Sequence, residues 1–147
     1  KIRIDPYDTW SMDNTLALII LPMLKQIKET KHGSPYVDDE DVPLHMRYSD
    51  PRGDFDADNW VHYKWEWILN ELIWTFEQVL DDDWEKQYII QEGELDFEDY
   101  PEDEEKEWKP VRWKSEYIVN REGVKAHQAR ITNGLKLFGK YYQNLWD

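Results

Sequence analysis

The sequence predicts a mainly α protein: three long helices packed as a bundle, with a small β hairpin or irregular acidic insert between the second and the third. Three observations carry this. Val61, Trp65, Ile68, Leu72, Phe76 and Val79 follow one another at steps of four and three, the apolar stripe of an amphipathic helix. Tyr117, Val124, Ile131, Phe138 and Leu145 recur every seven residues, with Arg121, Gln128, Leu135 and Tyr142 at the alternate seam positions. The stretches between are crowded with proline, glycine and carboxylates and show little periodicity. A chain of 147 residues without cysteine is expected to fold as a single domain, 1–147, around one core and without disulfides.

Lys1 to Trp10 is a lead-in, where Lys-Ile-Arg-Ile alternates like an edge strand until Pro6 ends it. The first helix is expected over about 11–32. Ser11 suits its N-cap, Asp13 its first turn and Gly33 its C-cap. Leu16, Ile20, Met23, Leu24 and Ile27 make its inner face, and Leu18, Ile19 and Leu21 make its middle apolar nearly all round, so burial is expected there. Pro22 lies inside this helix and is expected to kink it. An irregular loop follows over 33–58, with Pro35, Pro43, Pro51 and Gly53.

The second helix, about 59–80 and capped by Asp56 or Asp58, has two stripes. Beside the apolar one runs Trp60, Lys64, Trp67, Glu71, Trp74 and Gln78, so this helix must meet neighbours on two sides, or a core on one and a ligand on the other. The acidic insert spans 81–110; Tyr88-Ile89-Ile90 and Leu95-Asp96-Phe97 could pair about a turn at Glu92-Gly93-Glu94. The third helix is expected over about 115–146. Its seam places Arg121 and Gln128 where apolar residues normally sit, and polar groups facing a core need partners. Gly123, Gly134 and Gly139 weaken it by about 1 kcal/mol each relative to Ala, which close packing of another helix would explain. The seam also exceeds what one neighbour needs, so a homo-oligomer is expected.

Charge limits the partners. The net charge is −14, which opposes direct binding of nucleic acid. The acid is uneven: fourteen carboxylates against two lysines over residues 81–107, and eight against two arginines over 38–58. From 111 onward seven cations outnumber three acids. Such acidic connections either keep an aromatic-rich chain in solution or form a recognition surface. The longest apolar run, Leu16 to Leu21, is too short to cross a bilayer, and the opening KIRIDPYDTW lacks a signal-peptide layout.

No catalytic residue, metal site or cofactor is expected. There is no phosphate-binding glycine loop and no HExxH, and His32, His45, His62 and His127 match no zinc spacing. Glu66, Glu71 and Glu77 do not share one helix face, and the paired ExxE and ExxD of helical nucleotide pyrophosphatases are missing. The aromatic inventory is distinctive: nine Trp, nine Tyr and four Phe. Trp65, Trp74, Phe76, Phe138 and Trp146 suit a core. Indole and phenol rings also stack on nucleobases, and arginine forks hold phosphate at two points. The expected ligand set is Lys25, Lys64, Trp67, Tyr117, Arg121, Gln128, Arg130 and Tyr141, with Tyr63 nearby. Rings would hold a base, the cations would hold phosphate, and Gln128 would read a base edge or ribose hydroxyl.

Three phrases, TLALIILPMLKQIKETKHGSP, WEWILNELIWTFEQ and ITNGLKLFGKYYQNLWD, together resemble a large family of small proteins of tailed bacteriophages. The resemblance covers the three helices, about half the chain, and leaves out the acidic insert. Lys25, Trp74, Glu77, Phe138, Lys140 and Trp146 fall within it. It implies a phage accessory protein acting in the cytoplasm of the infected bacterium. Some small phage proteins hold cyclic nucleotide or cyclic ADP-ribose immune signals without cleaving them, and the expected function is such a sponge. The alternatives are an acidic DNA mimic or decoy, using Asp38–Asp41, Asp81–Asp83 and Glu102–Glu107 against a basic surface of a host defence protein, and a plain virion component.

Overall fold

The computed structural model describes residues 3–48, 57–96 and 112–146. The chain is mainly helical, and three helices pack together: α1 (Met12–Thr30), α2 (Ala57–Leu80) and α3 (Arg121–Tyr141). Contacts divide the chain into two compact units, one of residues 1–82 with 129–147 and one of residues 83–128, so that α3 contributes to both. No described helix is long and apolar enough to cross a membrane.

In the first unit, α2 is the central element. Trp65, Ile68, Leu69, Leu72, Thr75 and Phe76 are buried along it. Both stripes find protein neighbours on α3: Trp65 and Phe76 of the first meet Tyr141 and Phe138, and Glu71 and Trp74 of the second meet Arg130. Lys25 and Lys28 of α1 reach Glu77 and Glu66 of α2. On the other side Phe76 meets Phe138 edge-on, with ring centres 5.0 Å apart, and Trp65 meets Tyr141 at 5.9 Å. Thr75 lies against Gly134 so closely that a Cβ at 134 would overlap its hydroxyl. Close packing therefore accounts for Gly134; Gly139, by contrast, faces open space.

Several local expectations change. No strand forms at residues 3–5, and Pro6 opens a 3-10 turn (Pro6–Thr9) capped by Asp5. Ser11 holds the N-cap position of α1, but its hydroxyl makes no capping bond. The helix contains Pro22, as expected, but stops at Thr30, short of Gly33. Lysine ends it: the Lys31 N–H donates to the Ile27 carbonyl, and its ammonium donates to the Lys28 carbonyl at 2.9 Å and to Glu66. A cation on the last free carbonyls satisfies them as a C-terminal glycine turn would. The middle of α1 is not buried all round: Ala17 and Leu24 are, but Leu18, Ile19 and Met23 are more than half exposed. Trp146 is exposed as well. Asp56, one of the two expected caps of α2, lies outside the described residues, and Asp58, the other, is inside the helix as its second residue.

The stretch after α1 is irregular, with 3-10 turns at Asp39–Asp41 and Leu44–Met46. Val37 and Val42 flank the first turn and are buried, so two apolar anchors hold an acidic segment on the core.

In the second unit a 3-10 segment (Trp84–Tyr88) leads into β1 (Ile89–Gln91) and β2 (Leu95–Asp96); β3 (Arg112–Trp113) and β4 (Ile118–Val119) return. The antiparallel hairpin is present, but its pairs are β1 with β4 and β2 with β3. Ile89 faces Val119 and Leu95 faces Trp113. Residues 92–94 thus join two segments of one arm and do not form the turn. Gly93 serves close approach: a Cβ there would lie 2.5 Å from the Trp113 ring. Because Ile118 and Val119 are used as a strand, α3 starts at Arg121 and not near Ser115. The Gly123 N–H donates to the Asn120 side chain at 2.9 Å, which caps it.

The buried face of α3 is Ile131, Gly134, Leu137 and Tyr141, a helical period, not the heptad seam. Arg121, Gln128, Leu135 and Tyr142 all point to solvent. The apparent conflict of polar groups on a core seam therefore disappears, because that row is outside.

Candidate functional site

Most of the sequence-predicted ligand residues are held by the protein itself. Lys64 is 1% exposed, in the first third of α2. An ammonium group so placed would cost several kcal/mol if unpaired. It is bonded to Asp39 and lies 4.3 Å from the centre of the Tyr48 ring, which stabilises the cation from its other side. Tyr141 is buried and donates to Asp41 at 2.6 Å, while the Asp38 N–H donates to the tyrosine oxygen. Burial first, and then the Asp41 bond, raise the Tyr141 hydroxyl above the usual tyrosine value.

Lys140 completes this cluster. Its ammonium lies 2.7 Å from Asp38, 2.6 Å from Asp41 and 3.3 Å from Glu40, where three carboxylates converge. Those bonds, Asp38 first and then Asp41, raise its proton affinity. The Asp38–Asp41 segment therefore serves as a clamp between the loop and α3, and Lys140 takes the position a cation would otherwise fill.

Elsewhere in the first unit, Lys25 pairs with Glu77 at 2.7 Å. Trp67 is half-buried and packs against the core. Arg130 is committed to Glu71 and lies over Trp74. The Glu71 hydrogen bond raises its proton affinity, with burial opposing. Lys25, Lys64, Trp67, Arg130 and Tyr141 therefore do not converge on a common opening.

Tyr117 and Arg121 are in a different position. In the second unit they line an open concavity of about 550 Å³ with Glu85, Val119, Glu122, Val124 and Lys125. Such a volume is within the usual range for small-molecule sites. Three elements build it: the 3-10 segment brings Glu85, the end of the hairpin brings Tyr117 and Val119, and the first turns of α3 bring the rest. The unit behind it is stiffened by aromatic packing. His127 stacks on Trp84 with ring centres 4.4 Å apart and shares a 3.0 Å hydrogen bond with the Tyr88 hydroxyl. Gln128 is exposed and outside the lining.

Two cations and two carboxylates balance here, in a chain whose net charge is −14. The N-terminal end of α3 adds partial positive charge. A phenol ring, a guanidinium, an ammonium and two valine side chains are thus gathered in one place.

Sequence reasoning missed Lys125, Glu85 and Glu122. Lys125 was accessible to it, being four residues from Arg121 and so on the same helix face. The role of Lys140 carried no local signal, because its carboxylates are about a hundred residues away in the chain. No protein-family profile, curated protein or solved structure matches this chain.

Proposed function

We propose that this protein is a phage-encoded, non-catalytic inhibitor of bacterial immunity that sequesters a nucleotide-derived signal in the cytoplasm of the infected cell. The molecule sequestered is of the cyclic nucleotide or cyclic ADP-ribose type. The observation that carries the reading is the concavity that joins Tyr117 to Arg121 and Lys125. Tyr117 stacks on the base, an interaction worth about 1–3 kcal/mol. Arg121 takes phosphate by its two-point fork, and Lys125 adds a second charge. Glu85 and Glu122 accept from ribose hydroxyls or exocyclic amines. A sponge works by stoichiometry, so its affinity must approach about 1 nM, or −12 kcal/mol.

Calorimetry against a panel of cyclic nucleotides and cyclic ADP-ribose isomers tests this. One panel member is expected to bind tightly, to be released intact by heat, and to lose at least tenfold affinity in Arg121→Ala and Tyr117→Ala. Silence across the panel rejects the reading. Release of altered ligand makes the protein an enzyme.

A second reading is an acidic decoy for a basic host surface. It draws on the carboxylate excess over residues 81–107. Asp38, Asp39 and Asp41 serve it poorly, since Lys140 and Lys64 hold them. Asp81–Asp83 are exposed, and Glu102–Glu107 lie outside the described residues. Reversing the charge of both runs should abolish a decoy and leave ligand capture unchanged.

A further inference from the structure

The exposed side of α1 is the feature that neither the core nor the ligand site uses. Met12, Leu16, Ile19 and Met23 lie within about 60° of one another around the helix axis and are 57%, 43%, 55% and 58% exposed. The rest of that face is Thr15, Gln26, Ile27 and Thr30. Over nineteen helical residues it carries no charge, in a chain that is 34% charged. The stripe continues into a groove of about 330 Å³ between α1 and the end of α3, lined by Ile20, Met23, Leu24, Ile27, Phe138 and Tyr142 among others. Trp146, one residue past the groove, is 70% exposed.

We infer that this face binds a second copy of the same chain. Met12, Leu16, Ile19, Met23, Tyr142 and Trp146, with on the order of 100 Å² each to cover, plus the groove floor, offer about 700 Å² per protomer. A monomer's largest apolar patch is about 300–600 Å², while a standard interface takes about 800 Å² from each partner. Depletion of charge marks an interface core, most of all between identical subunits. A lipid surface is a poor occupant, because anionic headgroups repel a chain of −14. Two such chains also repel each other, so an apolar seam between them should tighten with salt, whereas a charge-driven contact would weaken.

Sedimentation of the full chain across concentration and salt tests this. The wild type is expected to sediment at twice 18.0 kDa at micromolar concentration, with association stronger in high salt. Ile19→Glu and Met23→Glu should each give monomers with unchanged helical circular dichroism, because both positions are exposed. Leu18→Glu, exposed on another side of α1, should stay dimeric. A monomeric wild type overturns the inference. So do dimers that survive both Ile19→Glu and Met23→Glu, or that dissociate equally in Leu18→Glu.

Discussion

Arg130 grips Glu71 at two points: Nε donates to one carboxylate oxygen at 3.0 Å and Nη2 to the other at 2.6 Å. The guanidinium also lies 3.7 Å from the centre of the Trp74 ring. One arginine of α3 thus joins two residues of α2 three positions apart, which lie on the same helix face. Its chemistry suits phosphate equally well, which is why the sequence alone points to a ligand role.

The Glu71 side chain is only 13% exposed, so removing Arg130 leaves a nearly buried carboxylate unpaired. Arg130→Ala is expected to cost about 2 kcal/mol. Arg130→Lys should recover less than half of that, because lysine keeps the charge but lacks the fork and the flat stacking surface. Urea unfolding of the two variants measures both quantities. Full recovery by lysine would show that charge alone matters.

Two glycines of α3 should respond to alanine with opposite signs. At Gly134 the new methyl meets Thr75, and overpacking of this kind costs about 1–3 kcal/mol. At Gly139 there is nothing within 4 Å, so the helix gains up to about 1 kcal/mol from the better helix former. Thermal melts should move down by several degrees for Gly134→Ala and up for Gly139→Ala.

The clamp around Lys140 predicts an alkaline limit. Tyr141 and Lys140 both hold their protons more tightly in the folded chain than their ordinary values of 10.0 and 10.5. A raised folded value stabilises fully below the unfolded value and is lost as pH climbs through the folded one. Stability should therefore decline as pH rises above about 10. Tyr141→Phe should flatten the tyrosine part of that decline. Ultraviolet titration should show a phenol that resists ionisation until the chain unfolds in the wild type and is missing in Tyr141→Phe.

Glu66 sets the opposite branch. Burial alone would raise its carboxyl, but the Lys31 hydrogen bond and the charges of Lys31 and Lys28 outweigh that and hold it below 4.5. A depressed carboxylate stabilises above its unfolded value, and that contribution is lost as pH falls through the folded one. Melting temperature should thus drop below about pH 4.5, and Glu66→Gln should be less sensitive there than the wild type. An identical acid profile for the two would remove Glu66 from the account.

The candidate site was partly legible. Tyr117 and Arg121 stand out in the sequence as a ring and a cation near the head of a helix, and they do share an opening. They do so through a different element: residues 118–119 are strand, so Tyr117 reaches the opening from the hairpin and not from the helix that carries Arg121. Lys64 and Tyr141 stood out in the same way, as a cation and a ring, and proved to be internally satisfied. A polar residue in an apolar stripe signals that a partner exists; its type does not say whether the partner is a ligand or an aspartate from a distant loop.

By itself the sequence determined the three helices, the double-sided character of α2 and the acidic connections, because these follow from neighbours three, four or seven residues apart. Only the tertiary structure decided which face of α3 turns inward, which carboxylate meets which lysine, and which apolar row on α1 is left uncovered. Those outcomes depend on segments as much as a hundred residues apart meeting in one geometry. The heptad and helical registers of α3 share Ile131, and only the helical one puts Gly134 inside, against Thr75.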